Sequence, residues 1–415
     1  MELRKTRPAL RLAYLVSRYP AVSHTFVLRE VLRLRAGGFE IHTASINPPD
    51  RPEEQMSDDE RREAHTTYFV KQTSAGSILR EFLTCLIASP LAWLRGLAHA
   101  VLLGGADPRS LALHLAYFVE AVLVGRWMQK RNLTHLHVHF ATPAASVGML
   151  VARTFGVGFS MTVHGPDEFY DVAAHRLAQK IEAASFICCI GRYCRSQLMK
   201  LSAPGMWSKF EIAPLGVDPS EFTPRAEPPS GQSFQLLCVG RLVAAKGQRI
   251  LLEAVNQLIA AGRQVQLTLA GDGPDRALLE RYVEAHGMGE RVQLRGAVTQ
   301  AEVRALCAAA HAFVLPSFAE GIPVALMEAM AMEVACISTA ITGIPELIES
   351  GSDGLLVAPS DVDALARAIA VLMDDEMLRR ALARQGRRKV AAAYNLTPNI
   401  DNLAGIFARR LTNAA

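Results

Sequence analysis

Arg241 and Lys246 fall close together in CVGRLVAAKGQ, and Glu320 and Glu328 in FAEGIPVALMEAMA. Two cations at the carboxyl end of a strand can neutralise a diphosphate through charge-assisted hydrogen bonds. Gly240 supplies the tight turn before them, and no Lys-Ser/Thr pair closes the loop, so this is not a Walker A segment. Pro323 suits a first helical turn, which puts Glu320 and Gly321 just ahead of a helix whose free N–H groups attract phosphate. Gly321 lets a ligand approach the backbone closely. Helical side chains tilt toward the N-terminus, so Glu328, in the second turn, points back to the same end. The two carboxylates are then placed to accept hydrogen bonds from hydroxyls at opposite ends of one sugar nucleotide.

Other segments carry weaker signals. ITGIPELIESGSDGLLV repeats the glycine–proline helix start, a second candidate phosphate contact. LAGDGPDRALL lacks the third glycine of a dinucleotide fingerprint and reads as a strand-to-helix turn. SMTVHGPDEF puts His164 and Gly165 directly after a strand, followed by Asp167. His135, His137 and His139 share one face of HLHVHF. Three imidazoles can bind a metal, but no acid or cysteine with ligand spacing follows, and no metal is expected.

The elements that must hold these residues are short apolar runs alternating with helical sequence. RLAYLVS, SHTFVLREVLRLRAGG and EIHTASIN read as strand, helix and strand, and the pattern returns in THLHVHF, FSMTVHG, SFICCIG and KFEIAPLG. VDPSEFTPRAEPPSGQS reads as a linker. FQLLCVG, VQLTLAG, VQLRGA, AFVLPS, VACIST and GLLVAP then form a second series. Alternation of this kind predicts an α/β fold of two doubly wound parallel sheets, with ligands outside the carboxyl ends of the strands and the cleft between two facing domains as the expected site.

At 415 residues the chain is long for one core, which agrees with two domains. A formal charge of +4 argues against a dedicated nucleic-acid binder. Seven cysteines without a CxxC pair suit reduced thiols in the cytoplasm. MELRKTRPALRLAYLVSRYP reads as a basic tail before a first strand, not a signal peptide. No run offers 18 uninterrupted apolar residues, so no transmembrane helix is expected. CLIASPLAWLRGLAHAVLLGG and LALHLAYFVEAVLVGRWM read as buried helices or as a pair resting on a membrane surface, with Trp93, Trp127, Arg95 and Arg126 near the headgroups.

Taken in order, CVGRLVAAKG, GDGP, FVLPSFAEGIPVALMEAMA and GIPELIESGSDGLLV resemble the retaining GT-B glycosyltransferases of the group-1 family, family four. RYPAVSHTFVLREVLRLRAGGFEI, HVHFAT, TVHGPDEF and PLGVD resemble its N-terminal half, and the wording is most like bacterial exopolysaccharide enzymes of the colanic-acid type. The resemblance implies two Rossmann-like domains facing across a cleft: residues 1–219 for the acceptor, 220–393 for the nucleotide sugar, and 394–415 as a helix crossing back to the first. It implies a cytoplasmic hexosyl transfer from a nucleotide diphosphate sugar to a glycan or polyprenyl-linked acceptor, with possible peripheral contact with the inner membrane and no cofactor or metal. Arg241 and Lys246 would hold the diphosphate, Glu328 the ribose and Glu320 the donor sugar. Gly240, Gly321, Ile322 and Pro323 would line the donor site, and Arg295 and Ala297 would contact the base. His164 would sit near the transferred sugar, with Ser23, His24, Thr25, His139 and Asp167 on the acceptor side. A nucleotide-sugar epimerase or phosphorylase of the same fold, and a non-catalytic nucleotide-sugar-binding assembly protein, are the alternative readings. The family's usual Gly-x-Pro is replaced by EVA at Glu333–Ala335, where strain at a helix end is expected.

Overall fold

The computed structural model describes residues 10–224 and 233–412. The chain forms two compact units: Met1–Ile190 with Cys194–Ala213 and Ile400–Ala415, and Gly191–Tyr193 with Pro214–Asn399. The passage from one to the other falls after Ala213, ahead of the segment read as a linker. That segment begins packed: Val217 N–H donates to the Tyr394 carbonyl, and Phe222 is buried with its carbonyl accepting from Arg387. The remainder of the linker, 225–232, lies outside the described residues.

The N-terminal unit holds strands β1 (Arg11–Arg18), β2 (Glu40–Asn47), β3 (Tyr68–Phe69), β4 (His135–His139), β5 (Gly158–Val163), β6 (Phe186–Cys189) and β7 (Phe210–Ile212), in the spatial order β3-β2-β1-β4-β5-β6-β7. Every pairing is parallel. Both faces of β1 and β4 are buried, as a parallel sheet covered on both sides requires; β1 is apolar on both, whereas β4 sets Leu136 and Val138 on one face and its three histidines on the other. Strand β3 has two residues, too few for an alternation to show in the sequence. The final helix, Leu396–Thr412, sets Leu403, Ile406 and Phe407 into the core beside Leu12, Tyr14, Val27 and Phe186.

The C-terminal unit holds β8 (Phe234–Val239), β9 (Val265–Ala270), β10 (Val292–Gly296), β11 (Ala312–Leu315), β12 (Ala335–Thr339) and β13 (Leu355–Val357), ordered β10-β9-β8-β11-β12-β13 and also parallel. The chain order reverses between β8 and β11. At such a switch point the loops leaving the two strands part in opposite directions and leave a crevice at the carboxyl edge. The N-terminal sheet has its own switch point between β1 and β4.

Helices Ala75–Ala88, Pro90–Gly104 and Pro108–Gln129 follow β3. Pro108–Gln129 is long and apolar enough to cross a membrane by length and composition, although His114 and Glu120 interrupt its apolar run. Half of its apolar window is buried in the unit, with Phe118, Val122 and Val124 in the core. All seven cysteines are free and buried.

Candidate active site

In the C-terminal unit the switch point brings two of the predicted donor residues, Lys246 and Glu320, into contact. The loop after β8 carries Gly240 and Arg241, and a short turn, Ala244–Lys246, presents the lysine. Two glycines let this loop sit where it does. Gly271, at φ +140°, lies so close to the Gly240 carbonyl that a Cβ would fall 2.0 Å from its oxygen. Gly247, at φ +65°, leaves only 2.1 Å between a built Cβ and the Pro316 carbonyl oxygen. Any other residue at either position would push the loop off the sheet edge. Arg241 is exposed, and no ion pair to its guanidinium is found among the described residues. Its carbonyl accepts from Gln248 Nε2 at 2.8 Å, which fixes the backbone and leaves the side chain available.

The loop after β11 brings Glu320 to the same place. Lys246 Nζ donates to Glu320 Oε1 at 2.5 Å, and Ser317 Oγ donates to the same oxygen at 2.7 Å. Glu320 is 7% exposed and Glu328 is 6% exposed. The Glu320 carbonyl accepts from Thr342 Oγ1, and Gly343 sits under Gly321 with room for no side chain. The loop is therefore clamped from β12's side as well as from β8's. Pro323 is the N-cap of the helix Val324–Ala331 rather than a residue of its first turn; its carbonyl accepts from Leu326 N–H at 3.1 Å. The extended backbone that proline favours at this cap sets where the helix starts, so Glu320, Gly321 and Ile322 still precede the first turn. Glu328 follows within that helix, and its charge reinforces the burial that holds the Cys307 thiol at about 12.

Arg295 and Ala297 are both exposed at the carboxyl end of β10, two strands away from β8. The second helix start is one turn only, Ile344–Leu347, and its Glu346 carboxylate accepts from the Arg192 and Tyr193 N–H groups at 2.7 Å each. A single turn carrying its own acid is a poor phosphate contact. At the far end of Val324–Ala331, Glu333 stands at φ +58°, the left-handed conformation that suits glycine. That is the strain the EVA wording implied.

In the N-terminal unit His24, His139 and His164 gather at the switch point between β1 and β4. Phe140 lies 4.8 Å from the His24 ring and 4.3 Å from the His164 ring, and Phe26 lies 4.9 Å from His164. Thr25 starts the helix Thr25–Ala36, and Ser23 lies in the turn before it, its side chain outside the described residues. Asp167 is exposed, whereas its neighbour Glu168 is buried and holds the loop together. The Glu168 carboxylate accepts from His164 N–H at 2.5 Å, Gly165 N–H at 2.8 Å and Ala141 N–H. Burial pushes Glu168 up to about 7 against those hydrogen bonds, and burial lowers Lys180 to about 7 against the attraction of Glu168. Lys180 Nζ donates to the Ala141 and Thr142 carbonyls at 2.8 and 2.9 Å.

An acid does approach the histidine strand, though from earlier in the chain: ligand atoms of Glu30, His137 and His139 lie within 4.8 Å of one another. Both nitrogens of His137 already meet hydroxyls, Ser160 and Thr162, at 2.8 Å each. These partners make the strand a hydrogen-bonded core rather than a set of open ligands. Glu30 escaped notice in the sequence although it shares a helix face with Val27, Val31 and Leu34; an acid on an apolar stripe was the available signal. Glu168 and Lys180 gave no comparable sign.

Two doubly wound parallel units, the second joining a cation and a buried acid at its switch point, have the architecture of the GT-B glycosyltransferases. Residues 220–389 match the family model for glycosyl transferases group 1, and the chain carries a domain of that family. Over 408 residues it is 26% identical to WcaL of Escherichia coli K12, named for colanic acid biosynthesis, covering 93% of this chain and 96% of that one. It is 27% identical over 416 residues to the amylovoran biosynthesis glycosyltransferase AmsK of Erwinia amylovora, covering 96% and 100%. Among solved structures, Anabaena HepE in complex with UDP and glucose superposes with a TM-score of 0.75 at 15% identity, covering 96% of this chain and all of that one, a likeness of fold.

Proposed function

We propose that this chain is a retaining glycosyltransferase that moves a hexose from a nucleotide diphosphate sugar to a lipid-linked glycan acceptor in exopolysaccharide or other cell-surface polysaccharide synthesis. The observation that carries the reading is the 2.5 Å contact between Lys246 and Glu320 at the β8–β11 switch point. It puts a phosphate-binding cation beside a buried carboxylate that can take a sugar hydroxyl, the pairing a sugar diphosphate needs. The relatives named for colanic acid and amylovoran biosynthesis support the pathway. In the proposed step the acceptor oxygen bonds to the anomeric carbon as the bond to the diphosphate oxygen breaks. The acceptor's proton passes to the leaving diphosphate on the same face. Arg241, Lys246 and the N–H groups ahead of Val324 take the developing charge, so the reading assigns no metal cofactor.

The test is a thermal-shift screen with UDP, GDP and ADP sugars, then transfer to polyprenyl-linked acceptors with and without EDTA, the anomeric configuration of the product being read by NMR. Glu328→Ala is expected to lower kcat/KM for the donor roughly a hundredfold, because a buried acid built to take hydroxyls leaves them unpaired when removed. Transfer at the wild-type rate in that variant would show that Glu328 does not hold the donor.

We also place the protein at the cytoplasmic face of a membrane, held by the hairpin Ala75–Ala88 and Pro90–Gly104. Ile87, Leu91 and Leu102 are 79%, 77% and 76% exposed, and Leu79, Leu83 and Leu94 join them. Exposed Arg80 and Arg95 lie on the same helices and exposed Arg109 at the start of the next, Pro108–Gln129, which suits anionic headgroups. Of the four residues first read as headgroup contacts, Arg95 is exposed and the other three are not. Trp127 is buried, Arg126 Nε pairs with Glu81 at 3.2 Å, and Trp93 packs on Phe82 and Phe118. Sedimentation with phosphatidylglycerol vesicles is expected to pull down the wild type, and Ile87→Glu with Leu91→Glu to stay in solution. Equal binding of both proteins would remove the hairpin from this role, as would wild-type dimerisation abolished by the same changes.

A further inference from the structure

A chain of buried hydrogen bonds runs behind His164 in the N-terminal unit. Tyr14 Oη donates to Glu30 Oε1 at 2.7 Å, and the same carboxylate oxygen lies 3.2 Å from His139 Nε2. His139 Nδ1 lies 3.1 Å from His164 Nε2. The other nitrogen of His164, Nδ1, is buried and has no hydrogen-bond partner among the described residues.

The donors and acceptors in this chain can be assigned from one end. Burial and the adjoining Glu30 hold the Tyr14 hydroxyl well above its ordinary range, so Tyr14 keeps its proton and donates. Glu30 Oε1 already accepts from Tyr14, so the proton in its contact with His139 sits on Nε2. With that one proton on its ring, His139 leaves Nδ1 bare, and His164 then donates to it from Nε2. Burial, with His139 and His24 adding to it, lowers the proton affinity of His164, so its ring is neutral. Its single proton is spent on His139. Nδ1 is therefore a lone pair, set among the rings of Phe26 and Phe140 and 7% exposed as a residue. A buried acceptor without a donor is costly, and a ligand O–H is the group that satisfies it.

We propose that Glu30 and His139 are positioning residues that lock His164 in its Nε2–H tautomer, so that its bare Nδ1 accepts a hydrogen bond from one substrate hydroxyl and selects against an analogue lacking it. This rests on the glycosyltransferase reading for the identity of the substrate, but the tautomer itself does not. Glu168, bonded to the His164 N–H, fixes the backbone while His139 fixes the ring.

The experiment labels the histidines of the full chain with 15N and reads the imidazole nitrogens by long-range proton–nitrogen correlation, His164 being assigned by its loss in His164→Gln. The expected result is a protected proton on His164 Nε2, with a hydrogen-bond coupling to His139 Nδ1 and no proton on His164 Nδ1. A proton on His164 Nδ1 overturns the proposal, and this reading needs no variant to fold. In transfer assays with donors each missing one hydroxyl, the wild type is expected to reject one member of the set. His139→Phe, checked for wild-type circular dichroism, is expected to narrow that rejection roughly tenfold, through KM more than kcat. Rejection unchanged in His139→Phe removes the positioning role. Failure of all transfer with the Nε2 proton in place would count against the function and leave the relay standing.

Discussion

Arg241→Ala is expected to lower kcat/KM for transfer by about 10²–10³ with no loss of thermal stability, since a preorganised donor aimed at developing charge contributes on that scale. The split between the two readouts follows from the geometry. Arg241 is exposed, with no ion pair found among the described residues, and its backbone is held by Gln248 through a carbonyl that alanine would retain. An exposed arginine without a partner contributes little to folding. Its value lies in a planar fork that meets two phosphate oxygens at once, which lysine cannot copy. Arg241→Lys is therefore expected to recover only part of the loss. Lys246→Ala makes the informative contrast: it removes the cation 2.5 Å from Glu320 and leaves that buried acid with only the Ser317 hydroxyl on the same oxygen. Lys246→Ala should thus lower both transfer and the thermal midpoint, whereas Arg241→Ala should touch transfer alone. Equal midpoints in the two variants, or full transfer by Arg241→Ala with its best donor, would contradict this division of labour.

How far the sequence could be read depends on whether the relevant interaction is local. Every strand but the two-residue β3 was legible, because a covered parallel sheet demands short runs rich in apolar residues, and the runs alternate with helical sequence. Glu320 and Lys246 were legible as candidates because each stands at a strand end beside a helix start. Their contact was not, since it joins residues 74 positions apart, and only the sheet order β8-β11 brings the two loops together. Pro323 was misplaced by one position, a difference that cap geometry settles and composition does not. The three apolar helices after β3 show the opposite failure. Tryptophan and arginine suggested an interface by type, yet burial turned Trp127 and Arg126 inward and left leucines outside. Glu30, Glu168 and Lys180 are charged residues that the fold buries, and their partners are backbone groups or side chains far along the chain. No spacing rule reaches such pairs.

Three histidines, His135, His137 and His164, make stability fall as the medium becomes acid. Burial lowers His135 to about 4 and takes His137 and His164 well below their ordinary range, with neighbouring imidazoles adding to the effect on the last two. In the unfolded chain each titrates near 6.5. Below that pH the unfolded state binds three protons that the folded state refuses, so their contribution is complete above pH 6.5 and is lost as the pH falls. Glu168 works the other way. Its folded value of about 7 lies above the unfolded one, so over the same range the folded state gains a proton and part of the loss is offset. Lys180, lowered to about 7, titrates differently between the two states only above that value. From His135, His137, His164 and Glu168 together two net protons remain, and their share of the slope is expected to approach about 2.7 kcal/mol per pH unit near pH 5.5. Against a total stability on the order of 10 kcal/mol, that is several degrees of midpoint per unit. His137→Leu separates this from ordinary acid unfolding. It takes a partner from the Ser160 and Thr162 hydroxyls, although Ser160 keeps His135 Nε2 at 2.7 Å, so the variant is less stable at neutral pH. It also removes one of the protons bound only in the unfolded state, so its slope between pH 6.5 and 5 should be about half that of the wild type. Denaturant midpoints across that range measure both quantities, and parallel curves for the two proteins would mean that His137 is not held neutral in the fold.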